Sequence, residues 1–435
     1  LHHVRLPDAV MLRLPLQALL AVVLLGCAGE APEAPPEPGV WTQAELRQLK
    51  SLRLDATPRP DPSNRLADDP AAADLGQELF YDAALSPSGT VSCVTCHDPS
   101  KGFADGKPRA EGIGTTARHA PVIPGSQYGA WLFWDGRADS LWAQAQGPIE
   151  HPDEMGGDRT SLVRHLAADP LRRSAYEAIF PEGLPERDLA AGPARPGGTE
   201  AERAAWDSMD EGTRSGIDRV AANVGKAMAA YQRTLRGGEG RFDRWVTEVM
   251  AGGDGSSSLT DPERRGLDLF FGRAECWECH AGPLFSDGEF HNIGIPAPDG
   301  LPRDAGRYDG IALLLADRFN AAGSHSDQRE GSQAIVSRGV KRDPSQWGAF
   351  RTPSLRNVGR TPPYMHDGSM ADLESVVRFY STLEGAIQLD QLRECDVRSG
   401  LVLLFSWRLS PRSGIFSCLG RSRMEKSLHP GRVPR

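Results

Sequence analysis

Residues 93–97 read Cys93-Val94-Thr95-Cys96-His97, a Cys-x-x-Cys-His motif that is the attachment signal for a c-type haem. In such a motif each thiol bonds a vinyl group of the haem, and the adjacent histidine reaches the iron as its proximal ligand. The motif recurs at Cys276-Trp277-Glu278-Cys279-His280. The two copies predict two covalently bound c-type haems, attached at Cys93, Cys96, Cys276 and Cys279 and ligated by His97 and His280.

Two other uses of a Cys-x-x-Cys pair are a zinc half-site and a redox dithiol. A structural zinc site needs further Cys or His ligands at suitable spacing, and the sequence shows no such closure. A thioredoxin-like dithiol would lie in a βαβ pattern, which is also missing from the sequence. Haem attachment is therefore the favoured interpretation.

A short helix is predicted before each motif. The sequences LGQELFY (Leu75–Tyr81) and RGLDLFF (Arg265–Phe271) both contain a glycine followed three and four residues later by leucine and an aromatic residue. The second helix is preceded by a capping box, Thr260 to Glu263, with Pro262 in the first turn. The repeat predicts two haem modules, each with a helix packed near its haem.

The region between the motifs predicts a mainly helical fold. Residues 181–198 are rich in proline and glycine and are expected to form a loop. No stretch shows a clear strand alternation. The fold class is therefore mainly α, with two c-type cytochrome domains, each around one covalently bound haem, and long loops. A core helix is predicted from apolar residues at helical spacing: Ile217, Val220, Val224, Met228, Tyr231 and Leu235.

The composition is that of a soluble globular protein large enough for two domains. The chain has 435 residues, of which 39% are hydrophobic and 25% charged. Its net charge of −9 argues against nucleic acid as a partner.

The N-terminal residues predict export. Arg13 precedes a short apolar run, Leu16–Leu25, that is too short to span a membrane comfortably. The end of the run, Leu24-Leu25-Gly26-Cys27, is typical of a bacterial lipobox, in which Cys27 carries the lipid; the alternative is an ordinary signal peptide with a chance cysteine. The predicted location is the periplasm, with contact to the membrane through the lipid anchor alone.

The chain is predicted to divide into five parts. These are a signal peptide with lipobox (1–27), a Pro-rich tether (28–70), an N-terminal haem domain (71–240), a C-terminal haem domain (241–385) and a divergent tail (386–435) that contains Cys395 and Cys418.

Three stretches resemble the bacterial di-haem cytochrome c peroxidases and their relative MauG, and the resemblance spans Leu75 to Tyr380. The stretches are LFYDAALSPSGTVSCVTCHDPSKGFADG, FWDGRADSLWAQAQGPIEHPDEMG and FRTPSLRNVGRTPPYMHDGSMADLESVVRFY.

The resemblance implies roles at the first haem. His97 becomes the proximal ligand of the haem that reacts with peroxide. Gln144, Pro148 and Glu154 become distal-pocket residues, at the family's intervals of 10, 14 and 20 residues after Trp134. Glu154 is the implied general acid–base, the alternative being an exposed loop carboxylate.

The segment Phe133-Trp134-Asp135-Gly136-Arg137 resembles the one that lies between the haems in the family. Trp134 is the implied electron relay, and the alternative is an ordinary core tryptophan. Asp135 and Arg137 are expected to be structural partners.

The chain departs from the peroxidases of the family at the first haem. Those proteins carry a histidine that blocks the distal side until the enzyme is half-reduced, and Thr115 holds that position here. His119, close by, is the alternative blocking ligand. The first haem is expected to be open from the start.

A second departure concerns the other haem. Tyr380 holds the position of an axial methionine, as it does in MauG-like members, and Met365 or Met370 is the alternative ligand. A tyrosinate ligand is expected to lower the haem potential by favouring Fe(III).

The family also places a Ca²⁺ between its haems. The carbonyl groups of Thr361 and Pro363 match its ligand pattern, whereas the expected asparagine is Gly125. Calcium accepts backbone oxygens and water as ligands, so the resemblance still implies one Ca²⁺ as a possible cofactor.

The sequence therefore predicts a di-haem peroxidase that reduces hydrogen peroxide at the first haem with electrons relayed from the second. The electron donor is a small redox protein, a cytochrome c or a copper protein. One alternative is MauG-like, peroxide-dependent oxidation of a side chain of a partner protein. The other is a non-catalytic di-haem electron-transfer cytochrome.

Overall fold

The computed structural model describes residues 42–54, 57–185, 189–298 and 300–383. Within these ranges the chain is mainly helical, as predicted. Its α-helices are α1 (Gln43–Ser51), α2 (Pro70–Tyr81), α3 (Cys93–Cys96), α4 (Leu141–Glu150), α5 (Arg159–Ala168), α6 (Pro170–Ile179), α7 (Glu200–Asp207), α8 (Glu211–Thr234), α9 (Arg241–Met250), α10 (Asp261–Phe271), α11 (Arg307–Ala316), α12 (Ser332–Gly339) and α13 (Leu373–Thr382).

Helix α8 is the predicted core helix, and helices α2 and α4 pack against it. A Cβ atom on Gly76 of α2 would lie 2.0 Å from the carbonyl oxygen of Ala227, and one on Gly225 would lie 2.4 Å from that of Trp142. Glycine at these two positions lets the helix backbones approach one another closely. The buried residues of α8 include Ile217, Val220, Val224, Met228 and Tyr231 of the predicted apolar set, and the sixth, Leu235, is buried directly after the last helical residue.

Of the helices before the two motifs, the first begins earlier than the sequence indicated and the second begins at the predicted capping box. Helix α2 begins at Pro70, because the side chain of Asp69 caps it by accepting a hydrogen bond from the amide of Ala72 at 2.8 Å. Helix α10 begins at Asp261 with the predicted capping box, in which Glu263 accepts from the amide of Thr260 at 2.8 Å. The predicted helices before both motifs are therefore confirmed.

Part of the stretch expected to be an extended tether is folded. Helix α1 lies within residues 28–70, and Leu49 and Leu52 are each only 2% exposed. The guanidinium group of Arg356 donates to the carbonyl oxygen of Leu52 at 2.7 Å, which ties this stretch to a distant part of the chain. The structure differs here from the expected tether because these leucines bury apolar surface.

Two short strands connect distant segments. Strands β1 (Phe290–His291) and β2 (Phe350–Arg351) pair antiparallel, with Phe290 opposite Arg351. The amide of Arg351 also donates to the carbonyl oxygen of Trp134 at 2.8 Å. The strand pair thereby contacts the segment that resembles the inter-haem segment of the family.

The predicted boundary between residues 240 and 241 lies between α8 and α9. The division into two cytochrome domains remains a prediction. Residues 181–185 and 189–198 contain no helix or strand, as predicted for a loop.

The signal segment with Cys27 and the tail with Cys395 and Cys418 lie outside the described residues. In the part of the chain that the structure describes, no helix is both long and apolar enough to cross a membrane.

Candidate haem sites and the segment between them

The first motif region, residues 70–105, holds the imidazole of His97 in a defined orientation. The His97 amide donates to the carbonyl oxygen of Cys93 at 2.9 Å. The His97 Nδ1 lies 3.3 Å from the carbonyl oxygen of Phe103, a buried residue with a φ of 63°. If Nδ1–H donates to that carbonyl, the lone pair on Nε2 is available to a metal.

The second motif region, residues 261–287, repeats this arrangement around His280. The His280 amide donates to the carbonyl oxygen of Cys276 at 2.9 Å, and Nδ1 lies 2.8 Å from the carbonyl oxygen of Phe285. Phe285 is buried and has a φ of 51°. Burial lowers the pKa of both His97 and His280, which favours the neutral imidazole that binds metals.

The four motif cysteines are half-buried and form no disulfide. Burial raises the pKa of Cys93 to about 12 and the pKa values of Cys96 and Cys276 to about 11. These three groups are therefore neutral thiols at pH 7. Together with the free Nε2 atoms, the donor set of each motif region fits a c-type haem.

The structure also brings two residues to Cys279 that the sequence analysis missed. The ligand atoms of Cys279, Asp287 and His291 all lie within 4.8 Å of one another. His291 Nε2 lies 2.8 Å from a carboxylate oxygen of Asp287, and this hydrogen bond is the main reason why the pKa of His291 rises to about 10. A zinc site would use these three residues but would leave His280 outside the group, whereas haem attachment uses the whole motif.

The residues implied for the distal pocket come from helix α4 and the turn after it. Gln144 and Pro148 lie one helical turn apart on the same face of α4, and both are half-buried. The amide of Met155 donates to the carbonyl oxygen of Pro148 at 3.2 Å, which folds the following turn back onto the helix. Glu154 lies in that turn.

Glu154 lies close to the first motif. Its charge contributes to raising the pKa values of Cys93 and Cys96, and its carbonyl oxygen accepts from the amide of Ile113 at 2.9 Å. Burial raises the pKa of Glu154, while His151, 3.8 Å away, acts in the opposite direction. Glu154 is thus a partly desolvated carboxyl group rather than an exposed loop carboxylate.

Thr115 and His119 lie in different surroundings. Thr115 is exposed and pairs with Glu111. His119 is buried, its Nδ1 lies 2.7 Å from the carbonyl oxygen of Lys107, and its charge contributes to lowering the pKa of His97. The roles inferred for both positions remain predictions.

Trp134 lies between segments that are distant in sequence. Its side chain is 9% exposed, and its indole N–H donates to the carbonyl oxygen of His119 at 2.8 Å. The amide of His119 in turn donates to the carbonyl oxygen of His366 at 2.8 Å. The amide of Arg351 donates to the backbone carbonyl oxygen of Trp134, also at 2.8 Å. Trp134 therefore contacts both the segment after the first motif and the segment that precedes α13.

Asp135 and Arg137 form an ion pair with a distance of 3.0 Å, as the sequence analysis expected of structural partners. Burial would raise the pKa of Asp135, but Arg137 and Arg118 outweigh it and hold the pKa below its ordinary value. Asp304, which lies 2.7 Å from Arg118, extends this ion-pair group.

Arg307 is a further residue that sequence reasoning missed. Its guanidinium carbon lies 4.3 Å from the ring centre of Trp131 and 4.1 Å from that of Phe290. No sequence motif predicts this contact, because Arg307 lies more than 170 residues after Trp131 in the chain.

Tyr380 is half-buried on α13 and lies close to the second motif. Burial raises the pKa of Tyr380, and the neighbouring thiols of Cys279 and Cys276 add to this. The backbone groups of Met370 and Tyr364 hydrogen-bond to each other, at 2.7 and 3.4 Å. The choice between Tyr380 and a methionine as ligand remains a prediction.

The implied calcium ligands are partly accessible. Thr361 and Pro363 are half-buried, and the amide of Gly125 donates to the side chain of Gln127 at 3.1 Å. A calcium site remains a prediction.

The chain is similar to known haem proteins over most of its length. A family model described as di-haem cytochrome c peroxidase matches residues 70–250. Methylamine utilization protein MauG of Methylorubrum extorquens is 34% identical over 380 residues, covering 84% of this chain and 86% of that protein. Cytochrome-c peroxidase IdrP1 of Denitromonas iodatirespirans is 33% identical over 325 residues, covering 72% of this chain and 74% of that protein.

Solved structures show the same relationship. The crystal structure of a MauG-like protein associated with microbial copper homeostasis has a TM-score of 0.52 and 26% identity, covering 86% of this chain and 99% of that chain. The diheme peroxidase BthA from Burkholderia thailandensis has a TM-score of 0.53 and 26% identity, covering 75% of this chain and 74% of that chain. The two sequence relatives, MauG and IdrP1, are more than 30% identical to the chain, and the match covers most of both proteins. The chain therefore belongs to the di-haem cytochrome c peroxidase and MauG family of haem enzymes.

Proposed function

We propose that the protein reduces hydrogen peroxide to water at the first motif region and exchanges electrons through the second. The observation that carries this proposal is the position of Glu154, a carboxyl group with a raised pKa close to Cys93 and Cys96. Cleavage of an O–O bond requires a group that can take up and release a proton, and a carboxyl group with a raised pKa is suited to this.

The chain would hold the two haems through its own side chains. Cys93 and Cys96 would bond the first haem and Cys276 and Cys279 the second. His97 and His280 would bind the two irons, and Tyr380 would be a further ligand at the second haem. When bound, the haems supply iron that exchanges single electrons and reacts with peroxide.

Glu154 moves the protons of the reaction. Reduction of one hydrogen peroxide consumes two electrons and two protons, breaks the O–O bond and yields two water molecules. The departing oxygen leaves easily once it carries a proton. Glu154 takes a proton from one peroxide oxygen and delivers it to the other, and its raised pKa suits both steps.

Gln144 and Pro148 shape the space in which Glu154 works. The side-chain amide of Gln144 can donate a hydrogen bond to peroxide and orient it. Pro148 has no N–H and presents an apolar ring, which excludes water without competing for the proton. Both residues are half-buried one turn apart on α4.

Trp134 relays electrons between the two regions. In support, its indole N–H donates to the carbonyl oxygen of His119 and its backbone carbonyl oxygen accepts from the amide of Arg351, so the residue contacts segments of both predicted domains. The His119 carbonyl oxygen accepts from the indole N–H, so its partial negative charge stabilises a positive charge on the ring.

Tyr380 favours a second candidate function. A phenolate ligand stabilises Fe(III), which hinders electron entry from a high-potential donor and favours storage of oxidising equivalents. The substrate would then be a side chain of a partner protein, as in MauG-like chemistry, rather than a small redox protein such as a cytochrome c or a copper protein.

The proposed location is the periplasm, with Cys27 as a lipid anchor. The support is the sequence of residues 11–27 together with the need to attach haem outside the cytoplasm. Thr361 and Pro363 are the proposed calcium ligands.

The test is the optical spectrum of the fully oxidised protein before and after one equivalent of peroxide, with no reductant. A fast change that decays slowly is expected from an open first haem and a Tyr380-ligated second haem. Reaction only after one haem has been reduced would support a peroxidase that waits for its electron donor and would contradict the roles of Thr115 and Tyr380. If neither state reacts, the protein is an electron-transfer cytochrome and the proposal is wrong.

A further inference from the structure

Arg307 is a buried cation enclosed by two aromatic rings. It is 3% exposed, and its guanidinium group stacks between Trp131 and Phe290. Its Nη1 donates to the carbonyl oxygens of Gly136 at 2.7 Å and of Asp135 at 3.2 Å. Arg307 thus lies against the segment that contains Trp134.

Arg307 has counter-charges only at a distance: the charges of Asp135 and Glu289 raise its pKa, but burial outweighs them. Within the described ranges no carboxylate oxygen lies within 4.0 Å of the Arg307 guanidinium group. Burial lowers its pKa to about 10, so the group still carries a full charge at neutral pH. A buried charge without a paired carboxylate is costly, which indicates that the charge serves a purpose at this place.

The chain leaves space for this arginine. A Cβ atom on Gly136, whose φ is 65°, would lie 2.4 Å from Nη1 of Arg307 and 2.3 Å from Cζ of Phe290. Any larger residue at position 136 would displace the guanidinium group. The glycine within the FWDGR segment is therefore explained by its positive φ and by the close approach of Phe290 and Arg307.

Trp131 and Trp134 are similar in burial but differ in the groups that lie against their rings. They lie three residues apart and are equally buried, at 8% and 9% exposed. The guanidinium group of Arg307 lies over the ring of Trp131, whereas the indole N–H of Trp134 donates to the His119 carbonyl oxygen. Loss of an electron places a positive charge on an indole ring, which Arg307 repels at Trp131 and the carbonyl group stabilises at Trp134.

We propose that Arg307 is a positioning residue that confines oxidising equivalents to Trp134 by making the neighbouring Trp131 hard to oxidise. The inference rests on the proposed peroxidase function. Without the guanidinium group, Trp131 would be a second site of electron loss, three residues from the relay and equally buried.

The wild-type protein offers a direct test. Haem-loaded protein is treated with excess hydrogen peroxide and no electron donor, so that oxidising equivalents end on the protein. One peroxide oxygen then enters an indole C–H bond and the other leaves as water, which adds one oxygen atom to the tryptophan. Peptide mass analysis is expected to find at least tenfold more oxygen addition at Trp134 than at Trp131; equal addition would overturn the proposal.

Matched variants test the charge itself. Arg307→Met removes the charge and is expected to raise oxygen addition at Trp131 at least tenfold, while Arg307→Lys keeps the charge and the wild-type pattern. Trp131→Phe combined with Arg307→Met removes the new product. An unchanged pattern in Arg307→Met, with wild-type haem absorption, would overturn the proposal.

Measuring peroxide consumption separates a failure of the proposed peroxidase function from a failure of the proposed role of Arg307. If the wild type consumes peroxide and Trp131 is nonetheless oxidised as readily as Trp134, the role of Arg307 is wrong and the proposed function stands. If the wild type consumes no peroxide, both are wrong. Should Arg307→Met fail to fold, the wild-type comparison of two equally buried tryptophans still decides the question.

Discussion

The first and second motif regions hold a histidine in the same way and surround it differently. In each, the imidazole Nδ1 faces the carbonyl oxygen of a buried phenylalanine with positive φ, Phe103 or Phe285. A carboxyl group, Glu154, lies near the first thiol pair, and a phenol, Tyr380, lies near the second. The comparison shows that each motif orients its histidine in the same way, whereas residues from other segments make the surroundings of the two motifs different.

Removing each thiol pair separately is expected to give the largest effect. Replacement of Cys93 and Cys96 by alanine should halve the bound haem and abolish the reaction with peroxide, because the peroxide site is assigned to the first region. The matched variant, with Cys276 and Cys279 replaced by alanine, should also lose half of the haem but still react with peroxide. In both variants, absorption measures the haem content, and mixing with one equivalent of peroxide measures the reaction. The reverse pattern would exchange the roles of the two regions.

The next largest effect is expected at the second haem. Tyr380→Met should raise its reduction potential by about 0.3 V, within the range of about 0.8 V that axial ligands span. At about 59 mV per 1.4 kcal/mol, this is about 7 kcal/mol. A spectroscopic redox titration measures the shift. Tyr364→Phe is the control, since the Tyr364 hydroxyl group donates to the carbonyl oxygen of Val358 instead; an equal shift in both variants would refute Tyr380 as ligand.

A smaller effect is expected at the first haem. Glu154→Gln should slow the reaction with peroxide by about 100- to 10,000-fold, because the amide cannot shuttle a proton. Glu111→Gln is the control: Glu111 is exposed and lies in the same part of the chain. Stopped-flow absorption gives both rates. A rate within about threefold of the wild type would exclude Glu154 as the acid–base group. The first motif region would then have no assigned acid–base group to distinguish it from the second.

The smallest effect is the dependence of stability on pH. Burial raises the pKa of Glu154 in the folded state, so its contribution to stability is fully present below the ordinary carboxyl pKa of about 4.3 and is lost as pH rises through the raised value. The wild type should therefore lose free energy of unfolding relative to Glu154→Gln over that pH range, by about 1.4 kcal/mol for each pKa unit. Urea unfolding of both proteins at several pH values measures this. A constant difference would mean that Glu154 is not desolvated.

The helices could be predicted where the signal is local. The apolar spacing of α8 and the capping box of α10 involve residues a few positions apart, and both predictions are confirmed. Helix α1 was missed because Leu49 and Leu52 are buried by parts of the chain far away in sequence. A local pattern does not reveal such a contact, since burial depends on which distant segments pack there.

The candidate sites, like the helices, could be predicted from the sequence only where the signal is local. The spacing of the two Cys-x-x-Cys-His motifs determined where haem attachment is expected, because in this motif the two thiols and the imidazole lie within five consecutive residues. Only the tertiary structure decided how each imidazole is oriented, that Glu154 is desolvated, and that Arg307 lies between Trp131 and Phe290. The physical reason is that burial and electrostatic potential arise from groups that are far apart in the chain and meet only when it folds.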